Sequence, residues 1–219
     1  MSDQPLVVTP VQPDEQAVED EAAAAGFQAD QVASIAAGHF THDVYSAFLA
    51  PLLPAIQSGM GLTYTQAGSL AIFSQIPSLL NPLIGYMADR VSVRYFVILA
   101  PAITATLFSS LGLASSYAGL AMLLFAAGIS IAAFHAPAPA MIAKVSGSRV
   151  GTGMSIFMAA GEFARAVGPL FVAAGVTWFG MDGIWRLAAL GWVVSIFLYF
   201  RLRTVPATPR GQAQASLAE

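Results

Sequence analysis

The sequence predicts an all-α membrane protein with six transmembrane helices, and three observations support this prediction. Hydrophobic residues make up 57% of the 219 residues, charged residues only 10%, and the mean hydropathy is +0.69. Six apolar runs, each near the ~20 residues that a helix needs to cross a bilayer, follow one another with short connections. Lysine and arginine are concentrated on one side of these runs, as is typical of cytoplasmic loops.

The six runs set the predicted topology. We place them in chain order at Val32–Ile56, Ala67–Ala88, Tyr95–Ala114, Ala118–Ala143, Gly153–Trp178 and Ile184–Phe200. Because the connections are short, consecutive helices should run antiparallel. If the N-terminus is inside, seven of the nine basic residues fall on the cytoplasmic side, and only Arg186 lies near the outer face. We therefore expect a multi-pass protein of the cell membrane with both termini in the cytoplasm.

The two ends of the chain differ in composition from its middle. Seven of the twelve acidic residues lie in the first thirty positions, which contain no lysine or arginine. Such a polar segment cannot bury enough apolar surface to fold alone, so we expect a disordered cytoplasmic tail over residues 1–30. It lacks the basic and apolar regions of a secretory signal. The transmembrane domain should cover residues 31–201 and a second cytoplasmic tail residues 202–219. The chain has no cysteine, which excludes disulfides and cysteine-ligated metals.

Polar residues inside the apolar runs are distributed unevenly. Ionisable groups in hydrocarbon almost always face a bundle interior or a water-filled cavity. The first, fourth and fifth runs should therefore line a cavity, whereas the interiors of the third and sixth runs carry no such group and should face lipid. At ~1.5 Å per residue, the ionisable groups lie ~10–22 Å from the cytoplasmic surface, in the middle layer of the membrane. They are His39, His42, Asp43, His135, Glu162 and Arg165.

These residues suggest proton transfer or solute binding. A low dielectric favours the protonated form of a carboxylic acid, so Asp43 or Glu162 is a candidate proton carrier. His39, one helical turn before Asp43, could share that proton. Arg165 is charged at every accessible pH and is a candidate anchor for an anionic solute. The alternative is structural, with Asp43 as a hydrogen-bonded packing residue and Glu162 paired with Arg165 at i,i+3.

Prolines interrupt the fourth run next to a titratable group. Pro137 and Pro139 remove two backbone donors from the helix directly after His135. We expect a kink at this position, which would suit a hinge as well as a merely bent helix.

A charged motif lies between the second and third runs. Residues 85–94 read Gly-Tyr-Met-Ala-Asp-Arg-Val-Ser-Val-Arg. This motif resembles the signature Gly-x-Leu-Ala-Asp-Arg-x-Gly-Arg-Arg between the second and third helices of the major facilitator superfamily. Gly85, Asp89, Arg90 and Arg94 match it. The resemblance implies that these residues form a conformational latch and do not contact the solute. It also implies a 3+3 inverted repeat of six helices as one half of the superfamily fold.

The first run is similar to one branch of that superfamily. Gly-His-Phe-x-x-Asp-x-Tyr at residues 38–45, followed by Leu-Leu-Pro at residues 52–54, resembles the N-terminal half of the fosmidomycin-resistance branch. Phe134 and His135 match its Phe-His motif, but the acidic and basic residues that usually follow are absent here. Glu162 and Arg165 fall where that branch is usually neutral, so charge has moved from the fourth helix to the fifth.

Together these features predict a half-size secondary transporter. Superfamily members ordinarily have two six-helix halves around a cavity, so we expect a second half, either an identical copy or a separately encoded homologue. The expected activity is proton-coupled movement of a small organic solute by alternating access, with an anion as one candidate class of solute. Two alternatives stay open: a non-transporting subunit or sensor, and a metal-ion carrier with His39, His42 and Asp43 as ligands. No nucleophile–base set or phosphate loop is recognisable, so we expect no enzyme, no cofactor and no nucleic-acid partner.

Overall fold

The computed structural model describes residues 26–88 and 94–203, and these residues are almost entirely helical without any strand. Their α-helices are α1 (Ala29–Ser46), α2 (Leu49–Met60), α3 (Tyr64–Gln75), α4 (Asn81–Ala88), α5 (Arg94–Ser109), α6 (Tyr117–His135), α7 (Ala138–Ser146), α8 (Val150–Phe179) and α9 (Ala188–Leu202). Short 3₁₀ segments extend or join them at Ile76–Leu80, Ser110–Leu113, Gly147–Arg149 and Met181–Leu187.

Three helical stretches of the described residues are long and apolar enough to cross a membrane. They are Arg94–Leu113, Tyr117–Phe179 and Met181–Leu202. The second has 63 residues and contains the fourth and fifth predicted runs. The first two predicted runs are divided into shorter helices, so neither reaches this length unbroken. The all-helical membrane fold is thus confirmed, whereas the six-span inverted repeat stays a prediction.

Prolines explain where the predicted runs are divided. A proline is tolerated in the first turn of a helix, because its missing N–H has no partner there in any case. Pro51 lies in the first turn of α2, Pro77 is the second residue of the 3₁₀ segment before α4, and Pro82 is the second residue of α4. Pro139 is likewise the second residue of α7, so the predicted kink after His135 is confirmed as a break between α6 and α7.

Contacts at the two ends of the bundle agree with antiparallel packing. At one end, the Gln28 N–H donates to the Val145 carbonyl (3.0 Å), and Arg201 Nη2 lies 3.0 Å from Asp30 Oδ2. The start of α1 therefore meets the ends of α7 and α9. At the opposite end, Ser69 in α3 and Tyr117 at the start of α6 share a hydroxyl–hydroxyl hydrogen bond of 2.6 Å.

The buried core has two apolar clusters with a polar layer between them. The first cluster includes Phe134 and Phe157, and the second includes Tyr45 and Phe48. Residues of α1 enter both clusters, so the segment 39–43 in the middle of α1 is held between them. This arrangement sets the depth of the polar residues predicted from the sequence.

Candidate functional site

Asp43 is the centre of the polar layer, and the close approach of α8 to α1 places it there. The buried residues of α8 recur every three or four positions and are mostly small. Gly161 faces the His39 ring and Gly168 faces the Val44 carbonyl so closely that a Cβ atom at either glycine would overlap its neighbour. Small residues at such contacts allow two membrane helices to pack backbone against side chain. As a result Asp43 is 1% exposed.

Four basic side chains approach the Asp43 carboxylate. Oδ1 lies 2.9 Å from His42 Nδ1 and 3.2 Å from His135 Nε2. Oδ2 lies 3.3 Å from His39 Nε2 and 3.5 Å from Arg165 Nη2. An ionised carboxylate has about four acceptor positions, so every position is approached by a nitrogen. The partners of the carboxylate come from α1, α6 and α8. Asp43 therefore connects the first, fourth and fifth predicted runs.

The His39 ring is fixed by a hydrogen bond and by aromatic packing. Its Nδ1 donates to the Phe157 carbonyl at 2.8 Å, because a carbonyl oxygen can only accept. The ring stacks on Phe157 at a centroid distance of 3.9 Å and on Phe134 at 5.6 Å. Its Nε2 is buried and has no hydrogen-bond partner, although it lies close to Asp43, so the approach is not aligned as a hydrogen bond.

Glu162 and Arg165 form the exposed edge of the site. Arg165 Nη1 lies 3.3 Å from Glu162 Oε1, and the two side chains are 53% and 63% exposed respectively. His135 is intermediate at 34%. The site is therefore graded from buried imidazoles and carboxylate to an ion pair on the surface of the chain. Arg165 connects the two zones, because it contacts both Asp43 and Glu162.

The six predicted site residues all meet in this one cluster, but the predicted latch is only partly described. Asp89 and Arg90 lie outside the described residues, and Gly85 lies in α4. Arg94 begins α5, with its guanidinium carbon 5.3 Å from the centre of the Tyr95 ring. The role of all four residues as a latch stays a prediction.

Sequence reasoning missed the supports of the cluster. Phe157 supplies the hydrogen-bond acceptor for His39, and Gly161 supplies the space for its ring. The signal that could have identified them is the period of small residues along the fifth run, Gly153, Gly161, Gly168 and Gly175, which marks the face of α8 that packs against its neighbours.

Comparison with known proteins gives a family and two relatives. The family model described as Major Facilitator Superfamily matches residues 35–218. The fosmidomycin resistance protein of Escherichia coli (strain K12) is 28% identical over 160 residues, which cover 72% of this chain and 39% of that protein. The uncharacterized MFS-type transporter YfnC of Bacillus subtilis (strain 168) is 26% identical over 165 residues, covering 74% and 40%. The chain thus spans about 40% of the length of these curated relatives. No solved structure matches.

Proposed function

Because this chain belongs to the major facilitator superfamily, we propose that it is one half of a proton-coupled secondary transporter. In this proposal a second six-helix half, either an identical copy or a homologous chain, completes a central cavity, and alternating access moves a small organic solute. Both termini lie in the cytoplasm of the cell. The family and its transporter relatives identify a membrane transporter and not an enzyme. The share of each relative that is matched, about 40%, supports the assignment of one half.

The exposed ion pair of Glu162 and Arg165 carries the proposal. It lies on α8 within the helical stretch Tyr117–Phe179, which is long and apolar enough to cross a membrane. A charged side chain at the centre of a bilayer costs ~2.5–3.5 kcal/mol on insertion scales. Two such groups on the surface of this chain are therefore expected to face water and a second protein half rather than acyl chains. Arg165 of α8 also contacts the buried Asp43. In the proposal this surface of α8 is therefore the wall of the cavity.

The contacts of Asp43 suggest how a proton would be coupled to movement. All of its acceptor positions are approached by nitrogens. A proton that arrives on the carboxylate removes its negative charge and so weakens its attraction for Arg165, which is both the most exposed partner and the most distant, at 3.5 Å. Protonation would release Arg165 from α1 and leave it with Glu162. In this mechanism the contact between α1 and α8 is the element that changes between the two access states.

The solute is proposed as a small organic molecule. Arg165 already contacts two carboxylates, so an anionic solute would have to displace Glu162 before it could bind the guanidinium. Fosmidomycin is the first probe to use, because one relative is named a fosmidomycin resistance protein.

The test compares two modes of transport in proteoliposomes. Wild-type protein, co-expressed and purified with whatever second half accompanies it, should show fosmidomycin flux driven by a pH gradient. Asp43→Asn and Glu162→Gln should lose this driven flux, because neither amide can carry the proton. Asp43→Asn should retain exchange of solute across the membrane without a gradient, since exchange requires no net proton movement.

The control is Asp182→Asn, which removes an exposed acid from the 3₁₀ segment Met181–Leu187, away from the cluster. It should transport like the wild type. Driven flux that survives both Asp43→Asn and Glu162→Gln would contradict proton coupling at these residues. Binding of the probe without any flux, in the presence of the second half, would favour a non-transporting sensor.

A further inference from the structure

We propose that His39, Asp43 and His135 form a binding site for one divalent transition-metal cation. Within the described residues, these three form a group whose possible ligand atoms all lie within 4.8 Å of one another. Two imidazole nitrogens and one carboxylate oxygen are ligands that suit Zn²⁺ and Fe²⁺, whereas Mg²⁺ and Ca²⁺ prefer oxygen alone. Binding of the ion does not depend on the proposed transport. A role of the ion as cargo or as coupling ion would rest on that proposed function.

The orientation of His39 is the first argument for the site. Because Nδ1 donates to the Phe157 carbonyl, the neutral ring carries its lone pair on Nε2. Metal-binding histidines typically donate their second ring N–H to a carbonyl or carboxylate in this way, which fixes the tautomer. Here Nε2 is buried, has no hydrogen-bond partner and faces Asp43 Oδ2 at 3.3 Å. A neutral imidazole and a carboxylate thus present two acceptors to the same point, which is where a cation would be stabilised.

The rigidity of this part of the molecule is the second argument. The His39 ring packs against Phe157 and Phe134, and its Nδ1 donates to the Phe157 carbonyl, so turning its lone pair away from Asp43 would break that hydrogen bond. Asp43 is held in turn by His42, whose Nδ1 donates to Oδ1 at 2.9 Å. A site of this kind is oriented before the ion arrives, which reduces the entropy lost on binding.

His135 supplies the third ligand and the route of entry. It ends α6 at the break before α7, and its Nε2 lies 3.2 Å from Asp43 Oδ1. Its side chain is 34% exposed, whereas those of His39 and Asp43 are 2% exposed. An ion can therefore reach the two buried ligands past His135. Three protein ligands leave at least one coordination position for water or for a group from outside the chain.

The ligand set differs from the one that the sequence suggested. His42 was expected as a ligand beside His39 and Asp43. In the structure its Nδ1 is engaged with Asp43 and its Nε2 is buried without a partner. His42 therefore acts as a support for the carboxylate, and His135 takes its place in the group.

Arg165 is the competitor of the ion. Its Nη2 lies 3.5 Å from Asp43 Oδ2, so a divalent cation at Asp43 would be repelled by the guanidinium. Because Arg165 is 53% exposed and also contacts Glu162, it can withdraw from Asp43 while keeping one partner. Removal of its charge should therefore strengthen ion binding.

The experiment is a titration of the full chain with Zn²⁺ alone. Protein without a histidine tag, in lipid nanodiscs, is titrated calorimetrically with Zn²⁺ and, in parallel, with Mg²⁺. We expect one Zn²⁺ per chain and no comparable Mg²⁺ binding. His135→Gln should weaken Zn²⁺ binding at least ~10-fold, the lower end of the loss that follows disturbance of a metal site, and Arg165→Gln should tighten it. Co²⁺ in place of Zn²⁺ should show a visible absorption band that His135→Gln removes.

Two controls separate ligand loss from misfolding. Asp182→Asn removes an exposed carboxylate in the 3₁₀ segment Met181–Leu187, away from the cluster, so its Zn²⁺ affinity should stay within ~3-fold of the wild type, a difference below ~0.7 kcal/mol. His135 is partly exposed, so the melting temperature of His135→Gln without metal should equal that of the wild type. Zn²⁺ should raise the melting temperature of the wild type and of Asp182→Asn, but not that of His135→Gln.

The outcomes distinguish this site from the proposed transport. Absence of stoichiometric Zn²⁺ binding, or binding that persists in the double variant Asp43→Asn, His135→Gln, would overturn the metal site even if driven solute flux is observed. Stoichiometric Zn²⁺ binding that depends on His135 supports the site even if no flux of any solute is found, in which case the transporter proposal alone fails.

Discussion

Two helix contacts of this chain are close for the same reason. Where α8 meets α1, Gly161 faces the ring of His39. Where α9 meets α5, Gly191 faces the Pro101 carbonyl and the Ala105 methyl group. At each contact a glycine removes the side chain that would hold the helices apart, as is common in membrane proteins. Close packing alone therefore does not mark the functional surface.

The polar groups at the two contacts are different in kind. The α1–α8 contact holds a carboxylate, imidazoles and a guanidinium around Asp43. The α5–α9 contact holds neutral groups: Ser195 Oγ accepts from the Ala102 N–H at 2.9 Å, and Thr106 Oγ1 accepts from Trp192 Nε1 at 3.0 Å. Neutral hydroxyls satisfy the backbone around a proline and have no charge to change. The difference fits the two proposals above, in which the α1–α8 contact responds to a proton or a cation while α5 and α9 form a fixed scaffold.

The largest effect on stability should come from a side chain that fills the space between α5 and α9. Gly191→Leu places a side chain where a Cβ alone would already overlap Ala105 and lie 2.7 Å from the Pro101 carbonyl oxygen. Backbone cannot move aside as a flexible side chain can, so the loss of stability should reach or exceed the ~1–3 kcal/mol that overpacking typically costs. Unfolding by sodium dodecyl sulfate in mixed micelles measures this loss.

The matched control is Gly151→Leu in the first turn of α8. A Cβ at Gly151 would have no neighbour within 4 Å, so this substitution should leave the unfolding midpoint unchanged or slightly raised, because leucine favours helix more than glycine does. Equal destabilisation by the two substitutions would contradict the role of the α5–α9 contact as a scaffold.

The sequence predicted much of the site because charge inside an apolar run is rare and therefore informative. Asp43, Glu162 and Arg165 could be identified one by one, and their similar depth followed from the helical rise. Which groups contact one another could not be predicted. The contact of His135 with Asp43 depends on the break between α6 and α7 and on the approach of α1 to its neighbours, and both are tertiary properties.

The fold shows the same division between what the sequence could and could not predict. Apolar composition predicted helices of membrane length, and Pro137 and Pro139 predicted the break in the fourth run. The breaks in the first two runs were missed, although Pro51 and Pro77 lie there, because a proline can either bend a helix or begin a new one. The sixth span was predicted too short, since the 3₁₀ segment Met181–Leu187 continues directly into α9.

A second experiment sharpens the comparison of α8 with α9. Because the chain has no cysteine, single cysteines can be placed at Ala166, one turn after Glu162, and at Val193 on α9, both of which are exposed on the chain. A water-soluble maleimide added to intact membranes should label Ala166→Cys at least ~10-fold faster, since a thiol reacts as the thiolate, which hydrocarbon disfavours. The labelled fraction is read by a shift in mass.

Denatured samples provide the control for thiol reactivity, because both variants should then label equally. Similar rates in intact membranes would mean that Glu162 and Arg165 do not face water, and would contradict the proposed cavity. Protection of Ala166→Cys by the co-purified second half, with no change at Val193→Cys, would place the partner on the α8 surface.

The smallest effect should come from the neutral hydrogen bonds of α5. Thr104 in α5 and Ser130 in α6 share a buried hydroxyl–hydroxyl hydrogen bond of 2.7 Å. Hydrogen bonds between membrane helices average ~0.6 kcal/mol in double-mutant cycles, because the unfolded state in the membrane also finds partners. A cycle of Thr104→Val, Ser130→Ala and the double variant, measured by unfolding in mixed micelles, should give a coupling near this value at pH 5, 7 and 9, since neither hydroxyl titrates in this range. A coupling that changed with pH would show that α5 also responds to protonation, and the distinction between a fixed scaffold and a responsive α1–α8 contact would fail.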